Sequence, residues 1–458
     1  MKRTYWTGLL IALVSFGGCR KEAPDEVVFT GKTTGPSSGG SGASGGTSWF
    51  GGSSGGGAGG ASGSAGTGDA GTDADTPDLV SCGFPEETQE AFTKSKLLRA
   101  VAECAVGRYA AFQVQAEALS TEAQAFEQSP SSEALARTQL AWQRAISAWQ
   151  EAEPFRFGPA ARPAEPGGQD HRDQIYGWPL ASRCRIEEQI VSQLYLEPRF
   201  VTSLINGRTL SSLDYLLFYG GTSNGCSAFS SINASGTWDA LGADEIRARR
   251  VVYASRAASL VAERARALVT SWVPASEAHP DGANFCGELS RAGAGSAVFA
   301  SDQAALNAVS DGMFYVEKEL KDWKLGRPIG YGDCFSASCP ESVELPFSRG
   351  SVAHMQANLR GFRRLFQGCG PGGEGVGFDD WLIAIGAGDL AARMLSALDG
   401  AEPAIAAIGG PLDDAVVNEP EKVQLAYTRL KALTDLLKTE FVSVLNLELP
   451  KTSEGDND

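Results

Sequence analysis

The chain has 458 residues, of which 43% are hydrophobic and 21% charged. That excludes disorder throughout and leaves room for two to three domains of about 150 residues each. Asp and Glu outnumber Lys and Arg by 55 to 39, a formal charge of −16; so acidic a surface repels phosphate backbones, which excludes nucleic acid as a partner but tolerates cations or basic peptides.

Met1 to Arg3 form a short basic region, and Leu9 to Val14 an apolar one too short to span a bilayer as a helix. The reading is an export signal over residues 1–18. It ends in Ser15-Phe16-Gly17-Gly18-Cys19, which resembles the bacterial lipobox, where small residues precede a Cys that is lipidated and becomes the mature N-terminus. The resemblance implies a membrane partner through the lipid on Cys19. With Arg20 rather than Asp after the Cys, it implies transfer to the outer membrane. Stable anchoring needs more than one chain, which a triacylated Cys19 supplies.

Residues 19–78 read as a tether, because 17 of the 55 glycines fall between Gly35 and Gly71 and such a stretch cannot bury enough surface to order itself. About 60 residues of this kind span roughly 40–45 Å. Trp49-Phe50 interrupts the run and reads as incidental.

Beyond Cys19 remain Cys82, Cys104, Cys184, Cys226, Cys286, Cys334, Cys339 and Cys369. An even number in an exported chain implies up to four disulfides, with 105 connectivities open. Cys334 and Cys339 are close enough to bridge each other across a loop. No CxxC pair suggests a zinc site.

From Glu87 onward the apolar spacing is helical. Leu135, Trp142, Ile146 and Trp149 recur at helical intervals, as do Leu306, Val309, Met313, Val316, Leu320 and Trp323, and Val352, Met355, Leu359, Phe362 and Phe366. Long helical patterns cover Ala243–Trp272, Phe378–Leu398 and Lys422–Leu447, and no stretch alternates as a strand does. The fold class is therefore all-α, with packed helical bundles. Pro/Gly clusters break the pattern at 154–168, 220–225, 274–295, 326–346 and 368–377. The third divides a first bundle, 79–273, from a second, 274–458. Trp142, Trp149, Trp178, Tyr215, Phe218 and Trp323 read as core.

Several segments then resemble the imelysin-like family of exported bacterial proteins, which includes the insulin-cleaving metallopeptidase and periplasmic components associated with iron uptake. They are Trp149 to Pro159, Ile175-Tyr-Gly-Trp-Pro179, Leu213-Asp-Tyr-Leu-Leu-Phe218, Lys324-Leu-Gly-Arg-Pro-Ile-Gly330, Glu344-Leu-Pro-Phe-Ser348 and Asn358-Leu-Arg-Gly361. The resemblance implies two bundles of rough internal symmetry with a pocket near their interface. The family's hallmark is Gly-x-His-x-x-Glu, and the Leu-Leu-Phe tail sets its register here. Thr209 stands at the Gly position, Ser211 at the His position and Asp214 at the Glu position. Two ligands three residues apart share a helix face, but Ser is a poor ligand for a transition metal, so the motif is degenerate.

None of the three histidines forms a zinc pattern with a neighbour. His171 lies in Asp170-His-Arg-Asp173, where Asp173 reads as an N-cap; His279 reads as solvated; His354 reads as facing away from its helix's apolar stripe or lying at its edge. A site built from Asp170, His171 and Asp173 and completed by Asp214 stays open. Ser348 reads as the cap of the helix carrying Val352 and Met355. Asp173, Glu344 and Ser348 are the candidate pocket groups.

No residue is identified as catalytic and no cofactor follows; the resemblance implies a divalent or iron cation as a ligand to consider. Three classes compete: a metallopeptidase, a ligand-binding protein, and an interaction scaffold of the envelope with a protein partner. The degenerate motif favours a non-catalytic lipoprotein that binds a small ligand.

Overall fold

The computed structural model of the chain describes residues 80–85, 91–370 and 374–450. The export signal, Cys19, the tether and Trp49-Phe50 lie outside the described residues. Thr72–Asp458 groups as one compact unit. Its regular structure is helical, and the described residues hold no strand beyond an isolated bridge between Pro274 and Ala283. None of the described helices is long and apolar enough to cross a membrane.

In chain order the α-helices are α1 (Lys94–Gln128), α2 (Ser132–Ala152), α3 (His171–Ile175), α4 (Arg183–Ser192), α5 (Leu210–Phe218), α6 (Ser231–Ala234), α7 (Ala243–Trp272) and α8 (Phe285–Ser290). There follow α9 (Asp302–Met313), a π-helix (Val316–Gly326), α10 (Ser351–Gln367), α11 (Phe378–Ala384), α12 (Gly388–Ala406), α13 (Leu412–Asn418), α14 (Pro420–Leu436), a π-turn (Leu437–Phe441) and α15 (Val442–Val444). Local chemistry sets several starts. Thr93, Ser131 and Ser301 each accept the backbone N–H three residues on, at 3.1 Å, opening α1, α2 and α9. Pro130 stands between α1 and α2, where the residue before a proline leaves helical geometry.

The apolar stripes pack as their spacing predicts. α1 lies along α2 and α7, α2 packs on α10, α10 on α12, and α14 on α12 and the π-helix. Phe112 meets Trp149 edge-on at 4.8 Å, and Tyr109 lies 5.7 Å from Trp272. Met355, Leu359, Phe362 and Phe366 on α10 are all buried. Gly361 matters at the α2–α10 crossing, because a Cβ there would lie 2.2 Å from the Glu151 carbonyl oxygen.

Several sequence expectations need correction. The pattern from Leu306 to Trp323 is α9 followed by a π-helix, and that from Phe378 to Leu398 is α11 and α12 split at Gly386, which has φ +85°. A period near 3.6 marks an apolar face but does not separate α from π geometry or reveal a short break such as 385–387. Ser348 does not cap α10: the cap position is Gly350, and the Ser348 hydroxyl donates to the Leu345 carbonyl at 3.3 Å. Asp173 is not an N-cap either; it lies inside α3 and accepts from Arg172 at 2.8 Å, while Asp170 holds the cap position. His279 is buried, its Nδ1 3.3 Å from Thr270 Oγ1. Trp323 and Phe218 are only half-buried.

The eight cysteines pair as Cys82–Cys286, Cys104–Cys369, Cys184–Cys226 and Cys334–Cys339. Cys104–Cys369 ties α1 to the segment after α10 across 265 residues. Closing so long a loop restricts the unfolded chain strongly. Replacing Cys104 and Cys369 together with Ser is expected to lower the unfolding free energy by about 2–5 kcal/mol. Denaturant titration followed by circular dichroism reads the change, and the helical spectrum should survive it.

Candidate functional site

The degenerate motif opens α5, and all three of its positions hold backbone in place. Thr209 packs on Gly177, where φ is +69° and a Cβ would lie 2.6 Å from Thr209 Oγ1. The Ser211 hydroxyl donates to the Tyr176 carbonyl. The Asp214 carboxylate accepts the N–H of Ser348 at 2.7 Å and of Phe347 at 3.1 Å. Burial pushes the Asp214 carboxyl up to about 6, against the pull of its hydrogen bonds and of His354. The start of α5 thus clamps two loops, one carrying Tyr176 and the other Glu344.

Those two residues meet in a buried polar network. Glu344 Oε1 accepts from Lys324 Nζ at 2.8 Å, from Gln150 Nε2 at 2.9 Å and from the Tyr176 hydroxyl, and Oε2 lies 3.3 Å from His354 Nδ1. Lys324 also donates to Gln150 Oε1 at 2.7 Å and Asn358 Oδ1 at 2.8 Å, so its three protons have three acceptors. Asn358 returns its amide N–H to the Gln150 carbonyl at 2.7 Å and side chain at 2.9 Å. The Ser351 hydroxyl donates to the Glu344 carbonyl. Burial alone would raise the Glu344 carboxyl, yet the Lys324 ammonium and His354 hold it down at about 2. Burial pulls the Lys324 ammonium down, and Glu344 pulls it back.

Sequence reasoning missed this assembly, and it placed His354 away from or at the edge of its helix's stripe. His354 is buried instead, because α10 is covered by α2, the π-helix and α12 and so has more than one interior face. A signal was present. Gln150, Tyr176, Asp214, Lys324, Glu344 and Asn358 fall one in each of the six segments that resemble the imelysin-like family. Each is a polar residue that directly follows an apolar one.

The other expected groupings do not form. His171 Nε2 lies 3.2 Å from Ser271 Oγ, with burial drawing its pKa to about 4 and Arg264 adding to the effect, while Asp214 is engaged by the 347–348 backbone. Among the described residues, no three His, Cys, Asp or Glu side chains converge as a metal-holding group. None of the three cavities described is lined by Asp173, Glu344 or Ser348. A cavity of about 860 Å³ is lined by Pro179 and by residues of the π-helix, the segment after it and α14, including Trp323, Arg327, Tyr331 and Tyr427. Trp178 joins cavity and network, since its ring lies 5.6 Å from Lys324 Nζ and edge-on to Trp323 at 6.0 Å.

Removing one partner of a buried, saturated ion pair strands the other. Lys324→Met is expected to destabilise the protein by about 3–5 kcal/mol. Lys324→Met combined with Glu344→Gln should cost less than the sum of the single changes, as measured by a double-mutant cycle in denaturant.

Comparisons place this architecture. Two solved structures share the fold at low identity. An iron-regulated protein A precursor of Parabacteroides distasonis matches with a TM-score of 0.59 at 17% identity, covering 79% of this chain and 98% of that one. An imelysin-like protein of Psychrobacter arcticum matches with a TM-score of 0.55 at 13% identity, with the same coverage. No curated protein matches the chain. The profile of the imelysin family, peptidase M75, matches residues 105–439, more than half the sequence and all six segments that converge on the network and its clamp, and the chain belongs to that family.

Proposed function

We propose that this imelysin-family protein is a lipid-anchored component of the cell envelope that binds a small ligand and does not hydrolyse peptides. The observation that carries the reading is the employment of the motif positions. Asp214 gives both carboxylate oxygens to backbone N–H groups, and Ser211 gives its hydroxyl proton to the Tyr176 carbonyl. Both side chains are buried and committed to holding backbone, a structural employment unlike the metal holding or proton transfer that metallopeptidase chemistry asks of these positions. The cavity beside Trp323 has the volume of a small-molecule site. The lipobox at Cys19 and the Gly-rich tether support capture at a membrane surface. One structural neighbour is described as iron-regulated, so ferric and divalent cations are the first ligands to test.

The deciding experiment combines metal analysis, titration calorimetry and a peptidase assay on the protein and on Asp214→Ala. The expected outcome is no peptide cleavage by either form and ligand heats that Asp214→Ala leaves unchanged. A stoichiometric transition metal with peptidase activity that disappears in Asp214→Ala would establish the peptidase reading instead. Cys19→Ala is expected to move the protein from the membrane fraction to the soluble one; retention in the membrane fraction would remove the anchor.

A further inference from the structure

We propose that Arg208 and Arg264 form an oxyanion site that takes a phosphate group, carried by a free anion or by a lipid headgroup. This goes beyond the reading above and does not rest on it, since neither residue lines the cavity beside Trp323.

Arg208, on the turn before α5, is only 3% exposed. Its Nε donates to the Ser203 carbonyl and its Nη2 to Gln174 Oε1, both at 2.7 Å, while its Nη1 has no acceptor and no carboxylate pairs with it among the described residues. A charge taken from water needs compensation. Two comparable arginines have it: Arg172 pairs with Glu153 at 3.0 Å, and the buried Arg250 lies 4.8 Å and 5.1 Å from the ring centres of Tyr215 and Tyr219.

Arg264, on α7, adds a second positive charge where a negative one is called for. Burial and the Arg264 guanidinium draw the Arg208 pKa below its ordinary value, and Asp170 opposes them. Asp170 makes no ion pair with Arg208 and accepts instead from Gln174 at 3.1 Å. Arg264 itself is half-buried; its Nη2 donates to the Val201 carbonyl at 3.3 Å, and its Nε is buried with no acceptor among the described residues. Glu263 beside it is exposed and makes no ion pair with it. His171, whose pKa Arg264 also lowers, brings no negative charge. Two neighbouring guanidiniums without a carboxylate between them attract an anion.

The pattern of bonded nitrogens selects the kind of oxyanion. Arg208 has Nε and Nη2 engaged and Arg264 has Nη2 engaged, so neither presents an unbonded Nε–Nη2 fork of the sort that grips a carboxylate. One N–H from each of two separate guanidiniums suits a tetrahedral group with several acceptor oxygens.

The segment that these arginines hold is apolar on its outside. Leu196, Val201 and Leu204 are 54%, 41% and 66% exposed, and the carbonyls of Val201 and Ser203 between them are the ones bonded to Arg264 and Arg208. Exposed aliphatic side chains beside uncompensated cations suit an anionic membrane surface.

The test uses the full chain carrying Cys19→Ala, so that no lipid anchor contributes. Inorganic phosphate is titrated by calorimetry and by the shift in thermal unfolding midpoint, with acetate as comparator, and phosphatidylcholine vesicles with and without phosphatidylglycerol are tested by co-sedimentation. We expect phosphate to bind one to one, at least about tenfold tighter than acetate, and to raise the midpoint. Arg264→Gln and Arg208→Gln should each weaken phosphate by about tenfold or more; should the buried Arg208→Gln fail to fold, the half-buried Arg264→Gln decides. Arg393→Gln, at an exposed pair with Glu440, should change nothing, and circular dichroism checks the fold of each variant. Co-sedimentation that needs phosphatidylglycerol and is lost in both Arg264→Gln and Leu204→Ser identifies the lipid headgroup as the source, whereas phosphate binding without co-sedimentation identifies the free anion. Phosphate affinity and co-sedimentation both unchanged in Arg264→Gln, acetate binding as tight as that of phosphate, or no response to vesicles or to millimolar phosphate overturns the proposal.

Discussion

The buried pair of Lys324 and Glu344 is the constraint on which the surrounding structure depends. A charge removed from water is tolerated only when its partners are complete. Lys324 finds three acceptors, and Glu344 is bonded through both oxygens. Those partners come from α2, the α3–α4 loop, the π-helix, the loop before α10 and α10 itself. Satisfying one ammonium therefore sets the register of α10 on α2, where Asn358 reaches the Gln150 carbonyl and Gly361 lets the two backbones approach. A slip by one turn would strand a charge as well as misalign apolar side chains.

The motif at the start of α5 serves the same assembly. Glu344 and Tyr176 sit on irregular backbone, which by itself would leave their positions loose. Thr209, Ser211 and Asp214 remove that freedom by holding the 176–177 and 347–348 backbones. Short side chains suit this task, since each reaches the main chain directly. Positions that the family uses for His and Glu are here part of the frame around the network, one aromatic ring away from the cavity at which we place binding.

Long-range covalent links complete the frame. Cys82–Cys286 and Cys104–Cys369 join parts of the chain separated by 204 and 265 residues, whereas Cys334–Cys339 closes a short loop at the cavity rim. The first two oppose global unfolding through loop closure. The third orders a local surface and closes too short a loop to oppose global unfolding as strongly.

The helical class and most helix positions were legible in the sequence, because a helix buries a face repeating every 3.6 residues and that repeat is local. α7 spans the same Ala243–Trp272 as its pattern, and the α10 stripe from Met355 to Phe366 is buried as expected. The family was legible as well, through six short segments. The π-helix was not, since its apolar period resembles that of an α-helix over 11 residues. Neither was the meaning of Gln150, Lys324, Glu344, His354 and Asn358, although each stood in plain view. Hydrogen bonds among them span up to 208 residues, and no local rule couples positions so far apart. The sequence by itself determined which segments coil and which face of each is apolar. The tertiary structure alone decided which buried polar groups complete one another, because that depends on the packing of helices and loops that meet only in three dimensions.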